Sequence, residues 1–178
     1  MAKVGIFFGS DTGKTRKVAK LIQDAFASDE VAAPVNINKA GIDDLLAYDY
    51  LILGTPTLGD GALPGLDADC QAESWAEFVP ELEAADLSGK KVALFGLGDQ
   101  ASYGDAFVDA LGELYDIVSE AGASVVGFWP NEGYEFNSSN ALDGDDFVGL
   151  VIDQDNQSSM TAERVKTWVA ALKSEFAL

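Results

Sequence analysis

The segment Gly9-Ser10-Asp11-Thr12-Gly13-Lys14-Thr15 sets small and hydroxylated residues between and around two glycines, a composition that lets backbone wrap closely about a tetrahedral anion. Ser10, Thr12 and Thr15 add hydroxyl donors to the backbone amides, and helical periodicity begins where the loop ends, so a helix N-terminus would face the same point. The chemistry predicted is phosphate binding. A plain strand-to-helix turn, in which the same residues only cap the helix, is the competing account. A nucleoside-triphosphate loop is excluded, because Gly9 and Gly13 enclose three residues where that motif needs four. A second glycine segment, Gly96-Leu97-Gly98-Asp99-Gln100-Ala101, has the outline of a dinucleotide fingerprint. It follows a later strand, however, and no acidic residue clearly ends the strand after it. Its glycines serve equally for a sharp turn or for close approach to a ligand.

Other chemistries are missing. The chain has no histidine, which removes the commonest general base and metal ligand near neutral pH. Cys70 is the only cysteine, so there is no internal disulfide, no Cys-x-x-Cys pair and no iron–sulfur ligand set. Redox chemistry would need a bound cofactor. The 30 acidic against 11 basic residues give a formal charge of -19, which repels nucleic acids and anionic membranes and suits a basic protein partner, unless it serves only solubility. Met1 to Lys3 runs straight into an apolar strand without a signal-type segment, and no apolar run approaches membrane-spanning length, so a cytoplasmic protein is expected.

The elements that must position these loops follow from periodicity. Val4-Gly5-Ile6-Phe7-Phe8, Tyr50-Leu51-Ile52-Leu53-Gly54 and Lys91-Val92-Ala93-Leu94-Phe95-Gly96 are short apolar runs meeting glycine, as expected of strands buried on both faces. Val31 to Ile37 is a weaker version. Val18, Ala19, Leu21, Ile22, Ala25 and Phe26 recur at helical spacing, and residues 73–83, 105–121 and 160–176 carry similar patterns. Alternating strands and helices predict an α/β fold in one domain over residues 1–178, with a parallel sheet between helical layers and ligands beyond the carboxyl ends of the strands. After Ser124-Val125-Val126-Gly127-Phe128 comes a polar stretch, Asn131 to Asp146, before Phe147-Val148-Gly149-Leu150-Val151-Ile152 resumes. Its length predicts an insertion that splits the last strand and forms a small hairpin of its own.

Three loops would then open at one sheet edge: Ser10 to Thr15, Thr55-Pro56-Thr57-Leu58-Gly59-Asp60-Gly61, and Gly96 to Tyr103. With Phe-Phe-Gly-Ser-Asp-Thr-Gly, Leu-Gly-Thr-Pro-Thr, Gly-Leu-Gly-Asp-Gln and, at residues 153–158, Asp-Gln-Asp-Asn-Gln-Ser, the sequence resembles the flavodoxins over nearly its whole length. The interrupted last strand resembles the long-chain subgroup, and the overall likeness is to flavodoxins of nitrogen-fixing bacteria.

That resemblance implies a flavodoxin-like three-layer sandwich: a five-stranded parallel sheet of order 2-1-3-4-5 with the insertion in the fifth strand. It also implies noncovalent FMN. Ser10, Asp11, Thr12, Gly13, Lys14 and Thr15 would cradle the phosphate, although Lys14 alone also reads as a solvated helix residue. Thr55, Pro56 and Thr57 would flank the ribityl chain and ring edge, Asp155 would accept from a ribityl hydroxyl, and Leu97, Gly98 and Asp99 would lie along the ring. Tyr103 matches the aromatic position that stacks on the isoalloxazine. On the opposite face Leu58 stands where several flavodoxins have tryptophan.

The family's chemistry is one-electron transfer between semiquinone and hydroquinone, and it belongs to an electron carrier rather than an enzyme. Within Leu58-Gly59-Asp60-Gly61, a flip of the Gly59–Asp60 peptide would favour the one-electron state, while the phosphate and Asp99 would push the second potential low. Asp60, Asp67, Asp69, Glu73 and Asp99 would steer basic docking partners: a reductase, and an acceptor such as nitrogenase reductase. The expected state is a monomer. An FMN-dependent reductase of a small substrate such as a quinone, and a cofactor-free signalling module of the same topology, are the alternatives. Cys70, in a polar segment, is expected to have no functional role.

Overall fold

The computed structural model describes residues 2–178. Strand β1 (Val4–Phe8) is buried along its whole length, and β3 (Tyr50–Pro56) and β4 (Lys91–Leu97) are buried everywhere except at their ends. Side chains alternate across a strand. Phe7, Leu51, Leu53, Val92 and Leu94 therefore enter one core, while Ile6, Phe8, Ile52, Ala93 and Phe95 enter the other. Helices α1 (Lys14–Phe26) and α5 (Thr161–Glu175) cover the second core. The first core is covered by α2 (Ile42–Leu46), α3 (Trp75–Ala84) and α4 (Asp109–Glu120). Three layers result, as the alternation of elements predicts. Val18, Ala19, Ile22 and Phe26 form the buried stripe of α1, each of the larger side chains contributing about 1.5–3 kcal/mol by leaving water.

The main sheet has the order β2-β1-β3-β4-β5, with parallel pairing throughout. Its fifth position is shared. Strand β5 (Ser124–Val126) pairs with the first half of β4 at Lys91 to Ala93, and β9 (Leu150–Ile152) pairs with the second half at Phe95 to Leu97. The chain between them forms a separate antiparallel sheet from β6 (Trp129–Pro130), β7 (Leu142–Asp143) and β8 (Asp146–Phe147), in the order β6-β8-β7. The expected hairpin is β7–β8, turned at Gly144 with φ 65°, and β6 extends it.

Three expectations need correction. The weak strand at Val31 to Ile37 shrinks to β2 (Val35–Asn36) and a single bridge from Val31 to Val4. Pro34 offers no amide donor, and the Asn36 side chain accepts from the Asn38 amide to start a 3-10 turn. The helix expected over 105–121 begins only at Asp109, because Val108 adopts φ 50° and residues 105–107 form turns. Helix α2 is absent from the periodic reading. It is five residues long, and its signal is local: Asp44 Oδ2 accepts from the Gly41 amide at 2.8 Å.

Candidate functional site

Strand order reverses between β1 and β3, and the loops after these strands open at that point. A cleft of about 290 Å³ lies there. Its lining has two chemically distinct parts. Asp11, Thr12, Lys14 and Thr15 form one, and Leu58, Leu97, Tyr103 and Phe107 belong to the other.

At the first part, Gly13 takes φ 90° and hands the chain into α1 without any side-chain cap. The Gly13 amide donates to Ser10 Oγ at 3.0 Å, so Ser10 holds the loop's shape and is not part of the lining. Among the described residues, the amides of Asp11, Thr12, Lys14 and Thr15 find no acceptor. Unpaired amides at the positive end of a helix are a binding site for an anion. Lys14 is not merely solvated: its ammonium pairs with Asp155, another lining residue, and balances that carboxylate beside the anion site.

The second loop is closed by Leu58 and Ala62, each donating its amide to the other's carbonyl at 2.9 and 2.8 Å. Leu58 O also accepts from the Gly61 amide at 3.0 Å, which makes Gly59–Asp60 the central peptide of a turn, with Gly59 at φ 49°. Pro56, Thr57 and Leu58 reach the cleft; Gly59, Asp60 and Gly61 stand outside its lining. Thr55 is fully buried, and its hydroxyl donates to Pro56 O at 2.8 Å rather than facing the cleft. Thr57 Oγ1 accepts from the Ala110 amide at 3.2 Å, tying this loop to the first turn of α4. Behind the loops, Gly54 O receives both the Gly9 amide and Trp75 Nε1, at 2.9 and 2.8 Å. A Cβ on Gly54 would stand 2.0 Å from the Phe95 ring, so only glycine fits there.

In the third loop Leu97, Gly98, Asp99 and Tyr103 line the cleft, and Tyr103 is half exposed at 50%. The dinucleotide reading of this segment fails, since turns rather than a helix follow β4 and α4 starts eleven residues after Gly98. Asp99 is partly buried, which pushes its carboxyl up. Hydrogen bonds from Ser102, Asn156 and Ala101 outweigh that and leave it below the ordinary Asp value of 3.8.

Sequence reasoning missed Ala106, Phe107, Val108 and Gln154 in the lining. The first three lie where a helix was expected, and only their unwinding at Val108 turns them to the cleft. It also missed the centre of the polar scaffold, Asp153, which is fully buried. Asp153 Oδ2 accepts from the amide and the side chain of Gln100, and Oδ1 accepts from the amides of Asp155 and Asn156. Cys70 is buried: burial raises its thiol pKa, and the nearby Asp11 carboxylate adds to the rise. Asp60, Asp67, Asp69 and Glu73 are exposed on the segment between β3 and α3, Asp67 within a 3-10 turn, and none of them lines the cleft. Among the described residues no helix is long and apolar enough to cross a membrane.

A doubly wound parallel sheet with an anion-binding helix terminus and an apolar slot at its switch point defines the class of nucleotide-binding α/β proteins. Within that class the family model described as Flavodoxin matches residues 6–168. A flavodoxin of Klebsiella pneumoniae is 58% identical over 174 residues, covering 97% of this chain and 98% of the relative. One of Synechococcus elongatus is 46% identical over 178 residues, covering 100% of both. Among solved structures, a Fusobacterium nucleatum flavodoxin bound to flavin mononucleotide superposes with a TM-score of 0.88 at 32% identity, covering 99% of each chain. The chain belongs to the flavodoxin family.

Proposed function

We propose that this protein is an electron carrier, not an enzyme, that holds FMN noncovalently in the switch-point cleft and serves partner redox proteins. The observation that carries this reading is the pairing, in one cleft, of unpaired amides at the N-terminus of α1 with an apolar slot bearing Tyr103 and Leu58. A phosphate suits the first and a flat ring the second. When bound, the flavin supplies a centre that takes up and releases electrons singly.

The chain's own residues do the rest. Asp11, Thr12, Gly13, Lys14 and Thr15 hold the phosphate chiefly through backbone amides, with Ser10 shaping the loop. Asp155 and Thr57 serve the ribityl hydroxyls, and Thr55 with Pro56 braces that side of the cleft. Tyr103 and Leu58 cover the ring's two faces, while Leu97, Gly98 and Asp99 flank its polar edge. The Gly59–Asp60 peptide can rotate without breaking a bond within the turn, whose closure runs through Leu58 and Gly61. Gly61 keeps the turn tight at φ 113°. The formal charge of -19 opposes the gain of further negative charge, which sets a low potential.

Asp60, Asp67, Asp69, Glu73 and Asp99 steer partners with basic surfaces, a reductase as donor and an acceptor such as nitrogenase reductase, to a monomer in the cytoplasm. The test is direct. The purified protein should be yellow with one FMN per chain, and its reduction by a reductase should slow as salt rises. Colourless protein that takes up no added FMN would refute the cofactor, and a salt-independent rate would refute the steering.

A further inference from the structure

Arg164 lies on α5 and is only 7% exposed. Its guanidinium sits 4.2 Å from the centre of the Tyr134 ring, its NH1 donates to Gln157 Oε1 at 2.7 Å, and its NH2 has no hydrogen-bond partner among the described residues. It forms no ion pair there either. A buried guanidinium with an unused donor is costly, and an apolar side chain of similar length would fill the space under Tyr134 at lower cost. What the charge adds is a strengthened hydrogen bond to Gln157.

Gln157 closes a turn that begins at Asp153, its amide donating to Asp153 O at 2.9 Å. Its side-chain nitrogen donates to Gly133 O of the insertion at 2.7 Å. The turn is thus anchored inside by the Asp153 carboxylate and outside by Arg164, and between the anchors lie the cleft residues Gln154 and Asp155. Three residues before Arg164 on the same helix, the Thr161 hydroxyl donates to Gln154 Oε1.

We propose that Arg164 is a positioning residue: acting through Gln157, it preorganises the 153–157 turn so that Gln154 and Asp155 receive the ribityl chain of FMN. This rests on the functional reading above. Without the outer anchor, the ordering of the turn would be charged against binding.

The experiment compares the full chain with Gln157→Ala, Arg164→Met and the double variant. Methionine keeps the length under Tyr134 but removes the charge and the donor. Amide exchange is read in the FMN-free protein and FMN affinity by fluorescence titration. In each single variant the amides of Asp155, Asn156 and Gln157 should exchange about tenfold faster, with those of β1 and β4 unchanged, and FMN should bind about tenfold more weakly. The double variant should be no worse than either single, because both remove one link. Unchanged exchange at those amides, or losses that multiply in the double variant, would overturn the role of Arg164 while leaving FMN binding intact. A wild-type protein that binds no FMN would overturn the functional reading and the ligand named here with it, whatever the exchange shows.

Discussion

Gln100 meets Asp153 twice, its backbone amide and its side-chain amide both donating to the same carboxylate oxygen at 3.1 and 2.7 Å. Gln100 Oε1 in turn accepts from the Glu135 amide, so one side chain joins the third loop, the last loop and the insertion. Removing the Asp153 carboxylate strands several buried donors at once. Asp153→Ala should cost about 3 kcal/mol of stability and weaken FMN binding at least tenfold, measured by urea unfolding and fluorescence titration. Asp153→Asn keeps the volume but turns a donor toward donors, and should lose a smaller part of both.

Gly59 holds φ 49° in open space, with nothing within 4 Å of where a Cβ would sit. Gly59→Ala therefore meets no clash, only the backbone cost of a left-handed conformation, about 1–2 kcal/mol. Because that cost falls on the peptide proposed to rotate against the bound ring, the gap between the first and second one-electron potentials should narrow. Potentiometry checks this, and denaturant unfolding should show the stability loss separately.

Asp99 has its folded pKa depressed below 3.8, so its contribution to stability is fully present above that value and is lost as pH falls through the folded value. The difference in unfolding midpoint between the wild type and Asp99→Asn should be constant near neutrality and shrink as pH falls below 3.8 through the lower folded value. Acid unfolding curves of the two proteins, overlaid, test it.

Tyr134 donates its hydroxyl to Val151 O at 2.6 Å, and burial, only partly offset by Arg164, pushes its pKa from 10.0 up to about 12. The folded chain keeps this proton where the unfolded chain has lost it. Stability should therefore fall as pH rises from about 10 to 12, by about 3 kcal/mol in total. Tyr134→Phe should abolish that slope. Ultraviolet titration should find one of the five tyrosines ionising late.

Much of this was legible in the sequence because its signals are local. Doubly buried strands read as apolar runs ending in glycine, and the Gly9–Thr15 loop carries its own turn chemistry. The split strand showed as a polar stretch between two apolar ones. What could not be read depends on contacts between distant segments. Asp153 looks like any loop carboxylate until Gln100, 53 residues away, folds onto it. Phe107 and Val108 match helical spacing, and only the tertiary strain at Val108 opens them to the cleft. Thr55 has the right chemistry for a ligand donor, yet its hydroxyl is spent on Pro56 O, and Ser10 Oγ accepts from the Gly13 amide outside the cleft lining.

The central claim is that the switch-point cleft binds FMN and makes it a one-electron centre. Stepwise reductive titration of protein reconstituted with one equivalent of FMN, followed by absorbance at controlled potentials, tests it most directly. Two well-separated one-electron steps, the second at low potential, are predicted. A single two-electron step like that of free FMN, or flavin left unbound at one equivalent, would contradict it.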